Sequence, residues 1–239
     1  MHKIFLTAAW KNLIMANYEI DPSVLLPYVP AHTELDTFGG KSYVSLVGFL
    51  FDKVRIKGIG IPFHTRFPEV NLRFYVKQKG LAGPAKRGVV FISEVVPKPA
   101  IAWVANTLYR EKYSCCRMKY SADREPGQLL LSYSWKGRGK QYTIASTVGT
   151  TTTVIAPGSM EEFIFEHYFG YAGVTKNITN VYAVEHPRWE LFPVLDYRVT
   201  GDFKAFYGPA FGFMDQVRPD SVLVAAGSDV LIREKTVLR

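Results

Sequence analysis

Cysteine is nearly missing from this 239-residue chain: there are two, Cys115 and Cys116, side by side. Neighbouring cysteines close only a strained eight-membered ring, so they staple nothing, and no third cysteine exists to pair with either. A disulfide framework is excluded. A reducing compartment follows, and the expected location is cytoplasmic. Long hydrophobic runs are missing too. The apolar segment at Ile4-Phe5-Leu6 is cut by Lys11 and Asn12 before a signal-peptide core is complete. No run reaches the roughly 18 apolar residues of a membrane-spanning helix, so no membrane partner is expected. Metal and nucleotide signatures are equally scarce. The histidines (His2, His32, His64, His167, His186) form no H-E-x-x-H pair, and the cysteine pair has no second ligand at zinc spacing. There is no G-x-S-x-G elbow and no dinucleotide fingerprint followed by an acidic residue. Neither a metal nor a cofactor is expected.

What is present is a strong core. Hydrophobic residues make up 48% and aromatics 14% of the chain, which excludes a disordered protein. A chain of this length buries roughly 70–75% of its unfolded surface and needs no staples. Net charge is +8, but it is spread in small groups (Lys53-Arg55-Lys57, Lys77-Lys79, Lys86-Arg87, Lys136-Arg138-Lys140) beside glycines. Such groups read as solvated hairpin ends, so a nucleic-acid partner is not expected. Composition is even from end to end, with no linker or repeat, so residues 1–239 read as one domain.

Alternation predicts strands at 43–51, 69–76, 88–96, 115–121, 128–135, 141–148, 178–186, 194–203 and 221–233. Pro97 and Pro99 precede a helical stripe over 100–113 (Ile101, Val104, Ala105, Leu108, Lys112). Ser159-Met160-Glu161-Glu162 is a capping box opening a helix to about Phe169. The Pro-rich first forty residues read as partly helical, and 204–214 as an irregular aromatic stretch. Many strands with few crossovers give an α+β, β-rich class: an antiparallel sheet curled into a barrel or sandwich, with about three helices.

The most informative stretch is Glu69-Val70-Asn71-Leu72-Arg73-Phe74-Tyr75-Val76. One face (Val70, Leu72, Phe74, Val76) is core; the other is Glu69, Asn71, Arg73, Tyr75. That face either meets solvent on the outside of a sheet or lines a polar cavity. Neighbours on it are about 7 Å apart, so Glu69 and Arg73 cannot pair directly. In a cavity each needs a partner or a ligand from another strand. A buried carboxylate with a shifted pKa suits general acid–base work, and Arg clamps carboxylates. A second cluster, Arg117 and Lys119, shares a strand face, where a neighbouring cation favours a neutral amine nucleophile; two exposed basic residues are the alternative. His186, near Trp189, is either a wall residue or a ligand contact.

Several motifs fall in order along the chain: Trp10-x-x-Leu13; Leu35-Asp36-x-Phe38-x-Gly40-x-x-Tyr43-Val44-Ser45; Phe67-x-Glu69-x-Asn71-x-Arg73-x-Tyr75-Val76; Gly88-Val89-Val90-Phe91; and Val184-x-His186-x-x-Trp189. Together they resemble the YqjF-like family of unknown function, grouped distantly with acetoacetate decarboxylase. The resemblance implies a cone-shaped β-barrel with an interior cavity into which Glu69 and Arg73 face, and it makes a homo-oligomer an expectation. Decarboxylases of that type use a lysine that forms a Schiff base with a keto acid, shortly after an Arg-Glu in a helix. Arg110-Glu111 fits the helix, but the lysine positions fall at about Arg117 and Met118, with Lys119 one or two places away.

The reading is therefore a small organic (keto) acid bound in a polar cavity. Glu69 and Lys119 are the candidate catalytic residues, and Arg73, Asn71, Tyr75, Arg117 and His186 the candidate binding residues. A lyase that is not a Schiff-base acetoacetate decarboxylase is one form of this. A non-catalytic small-molecule-binding protein is the alternative, and a basic nucleic-acid module is a second alternative.

Overall fold

The computed structural model describes residues 3–80 and 83–239, apart from the side chains of residues 108 and 109. Met1 and His2, and the place given to Leu108 on a helical stripe, lie outside the described residues.

Sixteen strands run in chain order among the described residues. They are β1 (Ile4–Ile20), β2 (Thr33–Leu35), β3 (Ser42–Ile56), β4 (Phe67–Gln78), β5 (Arg87–Val96), β6 (Tyr113–Cys115), β7 (Arg117–Glu125) and β8 (Gln128–Gly137). After these come β9 (Lys140–Gly149), β10 (Thr153–Val154), β11 (Phe169–Thr175), β12 (Ile178–Glu185), β13 (Glu190–Phe192), β14 (Val194–Thr200), β15 (Ser221–Arg233) and β16 (Thr236–Leu238). The α-helices are α1 (Pro22–Leu25), α2 (Pro99–Tyr109), α3 (Met160–Phe165) and α4 (Phe203–Tyr207).

In the larger sheet β15, β1, β3, β4, β5, β11 and β12 are successive neighbours. β12 then returns to β15 through Val184–Ile232 and Glu185–Leu231, so the sheet curls round and closes. Pairing is antiparallel except where β5 runs parallel to β11 and to β6. The chain is thus a strand-rich α+β fold with a curled sheet, as composition and alternation imply. A second, four-stranded antiparallel sheet, β14-β9-β8-β7, packs on the outside.

β4 sits between these layers and is buried on both faces. Val70, Leu72, Phe74 and Val76 are fully buried in one core with Leu131, Tyr133, Trp135 and Ile144 of the outer sheet. Removing a side chain such as Leu72 from this layer costs about 2–5 kcal/mol. Close approach of the sheets is set by Gly48 on β3, where a Cβ would lie 2.8 Å from the Tyr133 ring. The opposite face of β4 looks into the curl, where α3 closes a second core: Phe163 packs on Tyr75 with ring centroids 5.2 Å apart.

Four elements differ from expectation. Helix in the first forty residues is confined to α1 and a 3₁₀ turn over Leu26–Tyr28, and residues 4–20 before it form a long strand, β1, that no sequence signal assigns. Three isoleucines, three aromatics and Thr7 suit a strand, and β3 and β15 flank it. An irregular register between Lys11 and Ile14, with Asn12 at φ 55°, bends it. The helix opened by the capping box ends at Phe165, although the Ser159 side chain accepts from Glu162 N–H at 3.2 Å as predicted. Phe169 instead begins β11. The stripe over 100–113 stops at Tyr109 because Arg110 takes a left-handed conformation at φ 62°. The aromatic stretch at 204–214 is α4 followed by a 3₁₀ turn over Pro209–Asp215.

Candidate functional site

Inside the curl β4 presents Glu69, Asn71 and Arg73 to a pocket of about 70 Å³, which Glu94, His167 and His186 also line. Glu69 and Asn71 are 2% exposed, so the polar face of β4 looks inward, not toward bulk water.

The turn after α2 completes the constellation. Once Arg110 has reversed the chain, the Lys112 carbonyl accepts from Glu94 N–H at 3.0 Å, and β6 zips onto β5. This lays Glu111 and Tyr113 beside Glu94. Asn106 fixes Tyr113 from both sides: its amide donates to the Tyr113 carbonyl at 2.9 Å, and its carbonyl accepts the Tyr113 N–H at 2.7 Å. The Tyr113 hydroxyl then donates to Glu69 Oε2 at 2.9 Å, while Asn71 Nδ2 donates to Oε1 at 3.1 Å. Tyr182, from β12, donates to Glu111 Oε1 at 2.9 Å. Gly170 makes room for that tyrosine, since a Cβ there would collide with its ring.

Burial dominates the electrostatics. It pushes the Glu69 carboxyl up to about 7, although Asn71, Tyr113 and Arg73 oppose the shift. Burial also raises Glu111 to about 7; the Tyr182 bond opposes this and the Glu69 charge adds to it. Glu94 is raised well above the carboxylate range by burial and by the Glu111 and Glu69 charges. Burial and mutual repulsion thus shift all three neighbouring carboxyl groups toward the protonated form. Among the described residues no group of three or more His, Cys, Asp or Glu is arranged to hold a metal ion.

Arg73 has no carboxylate in ion-pair contact among the described residues. Its Nη2 reaches only the Met15 sulfur at 3.6 Å, its guanidinium lies 5.8 Å from the Tyr75 ring centroid, and its Nε is buried without a partner. Opposite it, His167 binds Asp36 Oδ2 through Nε2 at 3.1 Å, and Arg87 holds the same oxygen at 2.6 Å. Burial lowers His167 to about 4, so the ring is neutral. A carboxylate only accepts, so Nε2 carries the proton. Nδ1 is left as a buried, unpartnered acceptor. Burial would raise the Asp36 carboxyl, but the bonds from His167 and Arg87 hold it at about 2. His186 stacks on Trp189 with centroids 4.0 Å apart, and its Nδ1 donates to the Pro187 carbonyl at 2.9 Å.

Of the residues singled out in the sequence, Glu69, Asn71, Arg73 and His186 line one cavity. Tyr75 stands behind it: its hydroxyl bonds Ser45 at 2.6 Å, and Ser45 bonds Asn17. Arg117 and Lys119 are not brought to the cavity. They lie on β7, the edge strand of the outer sheet, where Met118 and Tyr120 take the core-facing positions and the two cations face solvent. No lysine is among the residues lining this cavity.

Glu94, Tyr113, His167 and Tyr182 are the residues that sequence reasoning passes over. Glu94 carries a legible signal, a lone acid within the apolar strand Val89 to Val96. The other three are ordinary wall residues until the curl assembles them.

Comparisons with known proteins follow the same lines. The model of the family DUF2071, "Uncharacterized conserved protein (COG2071)", matches residues 7–229. The uncharacterized protein YqjF of Bacillus subtilis (strain 168) is 32% identical over 111 residues, 46% of this chain and 44% of that protein. The match thus spans under half the length of that curated relative. Among solved structures, acetoacetate decarboxylase from Legionella pneumophila superposes with a TM-score of 0.66 at 12% identity, covering 100% of this chain and 89% of that one. An acetoacetate decarboxylase-like enzyme from Sphingomonas wittichii RW1 gives 0.67 at 10% identity, covering 99% and 94%. The enduracididine biosynthesis enzyme MppR, complexed with pyruvate, gives 0.65 at 11% identity, covering 100% and 91%. At these identities the likeness is one of fold.

Proposed function

The chain belongs to the uncharacterized DUF2071 family, and we propose that it binds a small organic acid, of the keto-acid type, in the polar cavity beneath β4. The observation that carries this reading is Arg73, a guanidinium in an enclosed wall with no carboxylate of its own and a buried, unpartnered Nε. A ligand carboxylate satisfies it through charge-assisted bonds. The fold neighbours support the ligand class, since one of them is complexed with pyruvate.

The same cavity suits proton transfer on the bound acid. The ionised Glu69 carboxylate, poised near neutrality, takes a proton from the carbon beside the ligand carbonyl. Glu94, whose burial favours the protonated form, donates its own proton to the developing enolate oxygen. Return of both protons restores the two glutamates. Such a cycle needs no covalent bond to the protein. With no lysine on the cavity wall, Schiff-base chemistry is not part of the proposal.

The test has two arms. Calorimetric titration of pyruvate and acetoacetate should give saturable binding that Arg73→Ala weakens about 10- to 100-fold, the worth of one or two charged hydrogen bonds. Proton exchange is then followed by NMR in D2O; loss of the methyl signal of pyruvate that Glu69→Gln abolishes establishes the catalytic form. Binding without exchange leaves a non-catalytic acid-binding protein, the second reading. No binding of any carboxylate would sink both.

A further inference from the structure

A second chamber of about 180 Å³ adjoins the polar one, and its walls are almost wholly apolar. Leu6 of β1, Val54 and Ile56 of β3, and Ile101, Val104 and Ala105 of α2 line it. Its polar groups, His64 apart, gather on one wall: Glu94, Glu111, Tyr113 and Tyr182. Glu94, Tyr113 and Tyr182, with Phe51 and Ile232, also border the polar cavity, so one set of side chains serves both spaces. The outer end reaches the loop between β3 and β4, where Ile59 and Ile61 line the chamber while 70% and 46% exposed. An apolar space with exposed isoleucines at its mouth suits apolar groups and offers little to a pyruvate-sized ion.

We propose that the acid recognised here carries an apolar tail: its carboxylate sits at Arg73, its reactive carbons beside Glu94 and Tyr113, and its chain or aryl tail in the chamber under α2. This rests on the reading of Arg73 given above and adds the substrate class, a medium-length acyl or aryl acid. At roughly 30 Å³ per small group, a chamber of this volume holds about six. A tail of that length is the match.

Straight-chain 2-oxo acids from pyruvate to 2-oxodecanoate, titrated calorimetrically into the full chain, test this. Affinity should rise roughly fourfold for each buried methylene, then level off after about six. Affinity that does not change with chain length would overturn the proposal. Ala105→Phe, which fills the chamber, should collapse the advantage of 2-oxooctanoate over pyruvate from more than 100-fold to below tenfold. An unchanged advantage in that folded variant would put the tail elsewhere and also overturn it. The two readings separate in Arg73→Ala. A surviving chain-length slope with overall affinity unchanged refutes the carboxylate site while upholding the tail chamber; strong weakening with a flat wild-type series does the reverse. Because the wild-type series alone decides the slope, an unstable Ala105→Phe does not remove the test.

Discussion

The Tyr113 hydroxyl donates a hydrogen bond to Glu69 Oε2 across 2.9 Å, joining the turn that follows α2 to the inner face of β4. This contact exists because Asn106 holds the tyrosine backbone by both its N–H and its carbonyl. Removing the hydroxyl strands a buried carboxylate oxygen. Tyr113→Phe should lower stability by about 1–3 kcal/mol and lift the Glu69 carboxyl above about 7. Denaturant unfolding and carboxyl NMR titration check the two halves. Asn106→Ala should produce a weaker version of both effects, since it only loosens the tyrosine's position.

Stability should fall as pH rises from 5 to 8. Glu69 and Glu111 have folded values near 7, above 4.5 in the unfolded chain. Their contribution is complete below 4.5 and is lost as pH climbs through 7. His167 acts in the opposite direction: its folded value near 4 is below 6.5, so its contribution is present above 6.5 and lost as pH drops toward 4. Glu94, raised further still, acts with Glu69 and Glu111, so three carboxyl groups outweigh the one histidine and the net change across that interval is a fall. Urea unfolding at successive pH values measures it, and Glu69→Gln should make the fall shallower.

Gly170→Ala should disturb the site without replacing any titratable group. The added methyl collides with the Tyr182 ring and pushes its hydroxyl away from Glu111. A loss of about 1–3 kcal/mol is expected from overpacking, together with a higher Glu111 pKa. Thermal unfolding and carboxyl NMR follow these changes; a fully stable variant with the tyrosine bond intact would contradict the packing described.

Lys119→Ala should be silent. The side chain is exposed on the edge strand of the outer sheet, so stability should move by no more than about 0.5 kcal/mol. Borohydride treatment in the presence of pyruvate should leave Lys119 unmodified by mass spectrometry. An adduct at that lysine would demand a different arrangement of β7.

The sequence makes β4 fully legible because period two is a local property, and both of its faces can be read without knowing what covers them. Glu69, Asn71 and Arg73 are legible that way. The direction in which the polar face looks is not local: it depends on closure of the sheet through β12 and β15, some 50 residues apart in the chain, and only the family resemblance points inward. Lys119 shows the limit of counting along the chain. Alternation places Arg117 and Lys119 on one side of β7 correctly, yet nothing local reveals that β7 belongs to the other sheet. β1 is illegible for a related reason: the irregular register at Asn12 breaks its alternation, and only pairing with β3 and β15 carries the strand through it. His167 and Tyr182 become site residues solely through the turn after α3 and the gap left by Gly170.

Burial of β4 on both sides has one more consequence. The side chains that glue the layers together and those that furnish the hollow occupy alternate positions of a single segment and share no residue. Exchanging a reagent at Glu69 or Arg73 therefore leaves the contact with Tyr133 and Trp135 untouched. Substitution of the inner set is compatible with an unchanged shell, in keeping with a fold shared by chains about one-tenth identical over almost their whole length.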